Sequence, residues 1–526
     1  MTGLELARRF GSEALALRVN GFLRPLDWVI DDDATVETFD LTSIEGQWVY
    51  KHSLSFLLIV AAQRVLGLKL RVTHSVSDAL VWEALDGRPL SEEDVATIEE
   101  EMRRLVAQEA PLMRQLLSLD KASRLLREQG KADTARLLEQ TGEDPVELYL
   151  CDGVAGFFFG PLLPTFGGLP YFSLHPLGTG LALRMPRLDT GRDLAPFNPP
   201  TETNQVFLEY SRWLRTLGVA TMSDVHDRID AGGDKELVLL SEALHEARLA
   251  SIASEILSRP SCRLLAIAGP SSAGKTTSTH KLKVQLKIGG ADALTLSLDD
   301  YYKNDEDRPL DEFGAPDYET IDALDTERLA SDLASLVAGK PTAVPWFDFK
   351  TKRRGGERTV QLAEGSLLLV EGLHGLNDRV IGSVPEAQRF GLFVSPLTGV
   401  SLDGHNRTST TDNRLLRRLV RDARTRGYGP EETLAQWPSV VRGANKYIFP
   451  FQHNADRLFN SVHLYELPVL KPFAEPLLRQ VKSSSPVYGE ACRLLEMLRH
   501  VPVMNERLVP NNSVLREFIG GSIIDI

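Results

Sequence analysis

The sequence contains few cysteines and few aromatic residues. Its 526 residues include 3 cysteines, and phenylalanine, tyrosine and tryptophan together make up 7%. Cys151, Cys262 and Cys492 lie far apart, so their spacing matches neither a disulfide framework nor a zinc site. A reducing, cytoplasmic compartment is therefore expected.

Positive charge and long apolar runs are also scarce. Lys and Arg number 59 against 72 Asp and Glu, a net charge of −13, which disfavours a generally basic nucleic-acid-binding surface but allows a local basic patch. Residues 153–183 carry no charged side chain, yet their glycines and prolines exclude a membrane helix and predict buried strands and turns. The first residues lack an apolar signal core, so no membrane association is expected.

The composition is otherwise that of a globular protein, with 43% hydrophobic and 25% charged residues. The length suggests about three domains. Short apolar strands alternate with helices in the C-terminal half, which favours an α/β fold with a parallel, doubly wound sheet. The predicted boundaries are 1–75 and 76–225 for two α+β blocks, 226–259 for a helical connector, 260–480 for the α/β domain, and 481–526 for a C-terminal helix and a tail that folds back.

Several local signals predict individual elements of the N-terminal half. Residues 15–21 are predicted to form a strand that ends in an Asn-Gly hairpin turn. Helical periodicity covers residues 52–66, and Ser91 is the expected N-cap of a helix that ends before Pro111. Gly232 and Gly233 break the helical connector.

The strongest motif is Gly269-Pro-Ser-Ser-Ala-Gly274-Lys275-Thr276, which has the Gly-x-x-x-x-Gly-Lys-Thr pattern of a phosphate-binding loop. An apolar strand precedes it and a helix follows it, as that site requires. Backbone N–H groups of such a loop bind phosphate at the N-terminus of the helix. Lys275 is expected to reach the β- and γ-phosphates, and the Thr276 hydroxyl to bind magnesium. The predicted nucleotide-binding residues are Gly269, Ser271, Ser272, Ala273, Gly274, Lys275, Thr276 and Thr277.

Carboxylates follow two other predicted strands. Asp299 and Asp300 come after the strand 294–298, and Glu371 follows the strand 366–370. Ligands of open α/β sheets bind outside the carboxyl ends of the strands, so these acids are expected to face the nucleotide. One could accept a proton from an attacking hydroxyl and another could hold magnesium. Capping of a helix or turn is the alternative role.

An arginine cluster lies further along the chain. Its members fall within twenty residues: Arg407, Arg414, Arg417, Arg418, Arg421, Arg424 and Arg426. In an acidic protein this favours a local anion site that stabilises a transferring phosphoryl group. Two alternatives stay open: a solvated helix face paired with Asp412 and Asp422, or an RNA-binding face.

Together these motifs resemble those of the uridine kinase and phosphoribulokinase family of P-loop kinases. Ser297-Leu-Asp-Asp-Tyr-Tyr302 resembles the segment that carries the general base, which falls on Asp299, and the nucleoside-contacting tyrosine, which falls on Tyr302. The resemblance also makes Asp317 the ligand of the ribose hydroxyls and Glu371 the magnesium-linked acid. It implies phosphate-contacting lid arginines at Arg418, Arg421 and Arg426, and a lid glutamine near the nucleoside at Gln436.

The acceptor pocket departs from the family pattern. Val344-Pro-Trp-Phe-Asp-Phe349 resembles the base-pocket segment, with Phe347 in place of a tyrosine. Lys352 stands where uridine–cytidine kinases read the pyrimidine with a histidine. The substrate-binding set implied by the resemblance is therefore Tyr302, Asp317, Phe347, Phe349, Lys352 and Gln436, with the base undetermined.

The N-terminal half resembles threonyl-tRNA synthetase. Residues 19–27 are similar to its small β-grasp TGS domain. Lys51-His-Ser-Leu-Ser-Phe56 and Phe158-Phe-Gly-Pro-Leu162 resemble the two halves of its editing site. Only His52 keeps a polar editing side chain, because Phe56, Phe158 and Leu162 replace the other three. A catalytic or zinc site cannot be built from one histidine and hydrophobic residues, so this block is not expected to hydrolyse aminoacyl-tRNA.

The expected function is an ATP- and Mg²⁺-dependent phosphotransferase that acts on the 5′-hydroxyl of a nucleoside. Asp299 is the expected base, Lys275, Arg418, Arg421 and Arg426 stabilise the transferring group, and Thr276 and Glu371 place the metal. The alternatives are a kinase of a sugar phosphate or another hydroxylated metabolite, and a regulatory RNA-associated NTPase. The family resemblance makes a homo-oligomer plausible.

Overall fold

The computed structural model describes most of the chain. The residues outside the description are 1, 10–12, 32, 77, 188–190, 195, 198–200, 311–313, 315–316, 349–350, 352 and 525–526, together with the side chains of 7–9 and 201–203. Within the described part, no helix combines the length and the apolarity that crossing a membrane requires.

The first 233 residues contain both helices and strands. The helices are α1 (Gly3–Arg9), α2 (Ile44–Leu66), α3 (Glu92–Ala107), α4 (Leu119–Glu128), α5 (Ala132–Thr141), α6 (Thr201–Leu217) and α7 (Met222–Asp230). The strands are β1 (Ala16–Val19), β2 (Phe22–Arg24), β3 (Val36–Phe39), β4 (Leu70–Val76), β5 (Ala79–Ala84), β6 (Met113–Leu117), β7 (Val146–Cys151), β8 (Val154–Gly156), β9 (Ser173–Leu177) and β10 (Gly180–Arg184).

The rest of the chain is also composed of helices and strands. The helices are α8 (Asp234–Leu257), α9 (Lys275–Ile288), α10 (Thr326–Val337), α11 (Asp378–Ile381), α12 (Thr410–Arg421), α13 (Pro430–Tyr447), α14 (Glu466–Leu478), α15 (Tyr488–Arg499) and α16 (Arg516–Ile519). The strands are β11 (Leu264–Ala268), β12 (Ala293–Ser297), β13 (Thr342–Asp348), β14 (Arg353–Val360), β15 (Leu367–Gly372), β16 (Arg389–Ser395) and β17 (Arg457–Asn460).

The chain divides into two compact units. Unit 1 contains residues 1–233, 398–409 and 474–504, and unit 2 contains residues 234–397, 410–473 and 505–526. Two short segments of the C-terminal half therefore fold with the N-terminal half. The boundary that the sequence suggests between two N-terminal domains stays a prediction.

Unit 1 is built from antiparallel sheets around one core. Its sheets have the strand orders β2-β1-β3, β4-β5-β10-β9 and β6-β7-β8. The predicted hairpin is confirmed: Val19 pairs with Phe22, and Asn20 and Gly21 adopt φ values of 50° and 85°, the positive values that this tight turn requires. The central helix α2 is buried along most of its length and packs in the core with residues of β1, β4 and β10.

Unit 2 contains a five-stranded parallel sheet with the order β12-β15-β11-β16-β17. Alternate residues of the central strand β11 belong to different core clusters: Leu264 and Ala266 to one, Leu265 and Ile267 to the other. Both faces of the sheet are therefore covered, which explains why β11 is apolar throughout. The predicted parallel sheet is confirmed.

Other local predictions agree with the structure. Ser91 caps α3 through a capping box with Asp94, and the helix ends at Ala107, a few residues before Pro111. The helical connector is broken between α7 and α8 at the two glycines. The region 153–183 consists of short strands and turns. The helix predicted over 52–66 begins earlier, at Ile44, where Ser43 provides the N-cap.

Candidate active site

The phosphate-binding loop connects the end of β11 to the start of α9. Gly274 has φ +78° and Ser272 has φ +61°, so the loop turns sharply before the helix begins. A Cβ at Gly269 would lie 2.1 Å from the carbonyl oxygen of Val394, which excludes any larger residue there. The Ser272 hydroxyl is buried and has no hydrogen-bond partner among the described residues. A buried polar group without a partner at a helix N-terminus fits an anion such as phosphate.

Lys275 lies between the loop and the acids of the neighbouring strands. Its Nζ donates to the carbonyl of Pro270 at 3.2 Å. Desolvation lowers the pKa of Lys275, and the negative charges of Glu371 and Asp299 oppose this effect. Thr276 is half-buried in the first turn of α9. The next residue, Thr277, donates to Glu517 Oε2 at 2.8 Å, so the C-terminal tail folds back beside the loop as predicted.

The structure gives the two consecutive aspartates different surroundings. Burial raises the pKa of Asp299, and Lys275 and Arg426 act in the opposite direction. Asp300 instead accepts from the backbone N–H of Phe347 at 3.3 Å and lies 3.5 Å from Arg358. Asp299 is therefore the carboxylate that faces the predicted phosphate-binding cations.

Glu371 is the second acid at this edge of the sheet. It is the penultimate residue of β15, rather than the residue after the strand, and pairs in register with Ser297 of β12. The Ser297 hydroxyl donates to Glu371 Oε1 at 3.1 Å. Burial, together with the charge of Asp299, raises the pKa of Glu371 to about 7. A cation such as Mg²⁺ would relieve this unfavourable burial of two carboxylates, so the donor set fits a divalent ion.

The arginines of α12 contact the phosphate-binding loop directly. Arg414 Nε donates to the carbonyl of Ser271 at 2.9 Å, and Arg418 Nη1 to the Ser271 hydroxyl at 3.2 Å. Arg417 is fully buried, pairs with Glu466 at 2.6 Å and donates to the carbonyl of Ser272 at 3.3 Å, so it also holds the loop in place. Arg414, Arg417 and Arg418 are buried, so this face of α12 is not solvated.

Asp422 organises the lid arginines. It is fully buried and lies 2.8 Å from Arg421, 3.1 Å from Arg418 and 3.7 Å from Arg426. Arg418 also donates to Gln436 Oε1 at 3.2 Å. The sequence left open whether these arginines pair with Asp422. The structure shows this pairing, which brings the three predicted lid arginines together around one carboxylate.

Two arginines of the sequence cluster lie elsewhere. Arg424 donates to the backbone carbonyls of Glu517 and Phe518 in the C-terminal tail. Arg407 belongs to unit 1, where it donates to Ser75 and to Thr398. The predicted anion-binding cluster therefore contains fewer arginines than lie close together in the sequence.

Aromatic rings gather beside the acids on the predicted acceptor side. The rings of Tyr302 and Phe347 are 5.9 Å apart. The guanidinium group of Arg308 lies 5.3 Å from the Tyr302 ring and 4.3 Å from that of Tyr318. Burial raises the pKa of Tyr302 well above its usual value, and its hydroxyl donates to the carbonyl of Tyr318 at 3.1 Å.

Asp317 occupies a turn next to these rings. Its Oδ1 accepts from the backbone N–H groups of Glu319 at 2.9 Å and Thr320 at 3.2 Å. Phe349 and Lys352, which complete the predicted substrate-binding set, lie outside the described residues, as does most of the segment 313–316 that precedes Asp317.

Sequence analysis missed Glu319. Its Oε2 atom is buried without a hydrogen-bond partner among the described residues. Burial raises the pKa of Glu319 to about 7, against the charges of Arg418, Arg414 and Lys275. Gly443 of α13 makes room for it, because a Cβ there would lie 2.3 Å from Glu319 Cβ. No local motif marks this residue, since its cationic neighbours come from distant parts of the chain.

The four residues that the sequence resemblance places in an editing site, which stays a prediction, pack together with other apolar residues of unit 1. The ring of His52 lies 4.4 Å from that of Trp48 and 5.8 Å from that of Phe158. Phe56 and Phe158 are 5.6 Å apart, and Leu162 is buried in the same core. We name His52, Phe56, Phe158 and Leu162 the His52 cluster.

Comparison with known proteins agrees with the site in unit 2. Residues 264–467 match the model of the phosphoribulokinase / uridine kinase family. Uridine kinases of Staphylococcus aureus strains JH9 and Newman are each 29% identical over 194 residues, which are 37% of this chain and 84% of theirs.

Two solved structures are similar at a lower level. One is described as a possible uridine kinase from Bacillus stearothermophilus, with a TM-score of 0.29, 18% identity, and coverage of 40% of this chain and 97% of its own. The other is a putative fructose transport system kinase from Silicibacter sp. TM1040, with the same TM-score and identity, and coverage of 40% and 98%. The family match and the phosphate-binding loop on a parallel sheet together identify the C-terminal part of the chain as a P-loop kinase domain of the phosphoribulokinase / uridine kinase family.

Proposed function

We propose that this chain transfers the γ-phosphoryl group of ATP to the 5′-hydroxyl of a nucleoside. The observation that supports this most is the position of Asp299 at the end of β12, where Lys275 and Arg426 both act on its carboxylate. A carboxylate beside the phosphate-binding cations can accept the hydroxyl proton at the point where the phosphoryl group is transferred.

The phosphates would bind to the loop 269–277. Its backbone N–H groups and the N-terminus of α9 stabilise negative charge, and Lys275 would reach the β- and γ-phosphates. Thr276 and Glu371 would hold Mg²⁺, which neutralises charge on the phosphate oxygens when it is bound.

Arg418, Arg421 and Arg426 would stabilise the transferring group. Asp422 holds all three around one buried carboxylate, so less side-chain entropy is lost when they contact the phosphoryl oxygens. Closure of these side chains over the nucleotide would also exclude water from the reaction.

The proposal of a nucleoside acceptor rests on Tyr302, Phe347 and Asp317. The two rings offer an aromatic surface for a base, and the Asp317 carboxylate offers acceptors for ribose hydroxyls. Both features lie in the same unit as Asp299, and the Tyr302 ring is close enough for Asp299 to raise the pKa of its hydroxyl. The similar uridine kinases support the same class of acceptor.

The test is a product assay with purified protein, MgATP and a panel of nucleosides, read by mass spectrometry. We expect one or more nucleoside monophosphates with the wild type and none with Asp299→Asn. Asp317→Ala should raise the KM for the nucleoside with little change in the KM for ATP. ATP hydrolysis without phosphorylation of any nucleoside would contradict the proposal and favour a sugar phosphate, another metabolite or a regulatory NTPase.

A further inference from the structure

Unit 1 contains a cluster of potential metal ligands that does not belong to the kinase motifs. Its members are Glu143, Glu496 and His500, whose ligand atoms all lie within 4.8 Å of one another. Glu143 follows the C-terminal end of α5, and Glu496 and His500 lie on the last turn and the C-cap of α15. The cluster therefore joins two segments that are separated by about 350 residues of sequence.

The imidazole of His500 points into this cluster and makes no well-formed hydrogen bond within the described part of the chain. Its side chain is fully buried, and neither ring nitrogen has a hydrogen-bond partner among the described residues. The Oε2 atom of Glu143 is also buried and unpartnered within that part of the chain. Phe157 and Phe159 pack edge-on against the imidazole, with ring centroids at 5.8 and 4.8 Å, and so fix its orientation.

The distances fit a shared metal better than a direct ion pair. His500 Nε2 lies 3.5 Å from Glu143 Oε2 and 3.8 Å from Glu496 Oε1. Both are longer than a good N–H···O hydrogen bond. Around a tetrahedral zinc ion with bonds of about 2.0–2.1 Å, neighbouring ligand atoms are about 3.3–3.4 Å apart. The three ligand atoms, which lie within 4.8 Å of one another, would therefore have to move closer together to surround such an ion.

We propose that Glu143, Glu496 and His500 form a zinc site that links the end of α5 to the end of α15. One imidazole nitrogen and two carboxylate oxygens are a donor set that Zn²⁺ accepts, with water as the fourth ligand. The Glu496 side chain is 47% exposed, which leaves a path for the ion and room for that water.

The surrounding charges allow the site. Arg499 Nη1 lies 3.9 Å from Glu496 Oε1, but both side chains are about half exposed, so this pair is weak and can be displaced. The buried Oε2 atom of Glu143 accepts no hydrogen bond from the described residues, and a bound cation would compensate its charge.

The experiment uses the full chain after treatment with a chelator, without nucleotide. Zn²⁺ is titrated by calorimetry, and the thermal unfolding temperature is measured with and without Zn²⁺. The wild type is expected to bind one Zn²⁺ at this site and to unfold several degrees higher when it is bound. Glu143→Gln and Glu496→Gln should each weaken binding at least tenfold and abolish the thermal shift.

Cys492→Ser is the matched control, because Cys492 lies on the same helix and is a thiol that could bind zinc by itself. This variant should bind Zn²⁺ as the wild type does. The test relies on Glu143→Gln and Glu496→Gln, because replacing the fully buried His500 could unfold the unit. No saturable binding to the folded wild type, binding that survives both glutamate substitutions, or binding lost with Cys492→Ser would each overturn the proposal.

Discussion

The phosphate-binding site of unit 2 and the His52 cluster of unit 1 differ in the polarity of their buried side chains. In unit 2, buried acids and cations surround a loop in which the Ser272 hydroxyl has no hydrogen-bond partner among the described residues. In unit 1, three of the four positions that resemble an editing site carry apolar side chains, which pack into the core.

The two sites should make opposite contributions to the free energy of unfolding. Buried, incompletely paired charges cost stability and persist where a ligand uses them. Aromatic rings in the same kind of position contribute to stability and leave nothing to bind a charged ligand. Substitutions in the two sites should therefore affect different quantities.

The largest effect is expected at Lys275. Lys275→Met removes the cation beside Asp299 and Glu371, so kcat/KM for phosphoryl transfer should fall by about 10³. The unfolding midpoint in urea should not fall. Lys287→Met is the control, because Lys287 is an exposed lysine at the other end of α9, where it pairs with Asp292. Similar activity of the two variants would contradict the assignment of Lys275.

The opposite outcome is expected in the His52 cluster. Phe158 is 5% exposed and contacts His52 and Phe56, so Phe158→Ala should lower the free energy of unfolding by about 3 kcal/mol. Kinase activity of the folded fraction should stay unchanged. Phe22→Ala removes a ring that is 47% exposed in the same unit and should cost much less. A loss of kinase activity in Phe158→Ala without a loss of stability would contradict the expected difference between the two sites.

A pH effect should distinguish the buried acids of unit 2. The pKa of Glu371 is about 7 in the folded protein, above its unfolded value of about 4.3. Between pH 5 and 7 the folded state therefore binds more protons than the unfolded state, and stability falls as the pH rises. Glu371→Gln should reduce this fall by about 1 kcal/mol per pH unit.

The measurement is urea unfolding at pH 5, 6 and 7 in the absence of nucleotide and metal ions. Part of the slope should persist in the variant, because burial also raises the pKa of Glu319 to about 7. Glu364→Gln changes an exposed glutamate and serves as the control. An unchanged slope in Glu371→Gln would mean that the pKa of Glu371 is not raised in the folded protein, which would contradict the prediction.

The smallest effect is expected at Asp422, which contacts no predicted substrate atom. Asp422→Asn leaves Arg418, Arg421 and Arg426 in place but weakens their common acceptor, so kcat should fall about tenfold with a smaller change in the KM for ATP. Asp322→Asn disrupts an exposed aspartate–arginine pair with Arg379 and should leave kcat unchanged. Equal effects of the two variants would argue against positioning by Asp422.

Local sequence signals predicted the elements that short-range physics determines. The Asn20-Gly21 turn, the Ser91 cap and the phosphate-binding loop each depend on the conformations of a few consecutive residues. The alternation of apolar strands with helices was enough to predict the parallel sheet of unit 2. For the same reason the sequence marked the end of β12 as a place for a functional carboxylate.

The long-range pairs were beyond that reasoning. Glu319 faces cations from the loop and from α12, and Glu517 reaches Thr277 across 240 positions of sequence. Which of Asp299 and Asp300 faces Lys275 depends on the turn after β12 and on β13. The acceptor residues Phe349 and Lys352 stay predictions.

By itself, the sequence determined the local elements, the phosphate-binding motif and the apolar character of the His52 cluster, because these follow from residue type and spacing. Only the tertiary structure decided which charges meet. It assigned Arg407 to unit 1 and gathered three other arginines around Asp422. Electrostatic interactions act over a few ångströms in space, and the fold alone brings residues far apart in the chain within that range.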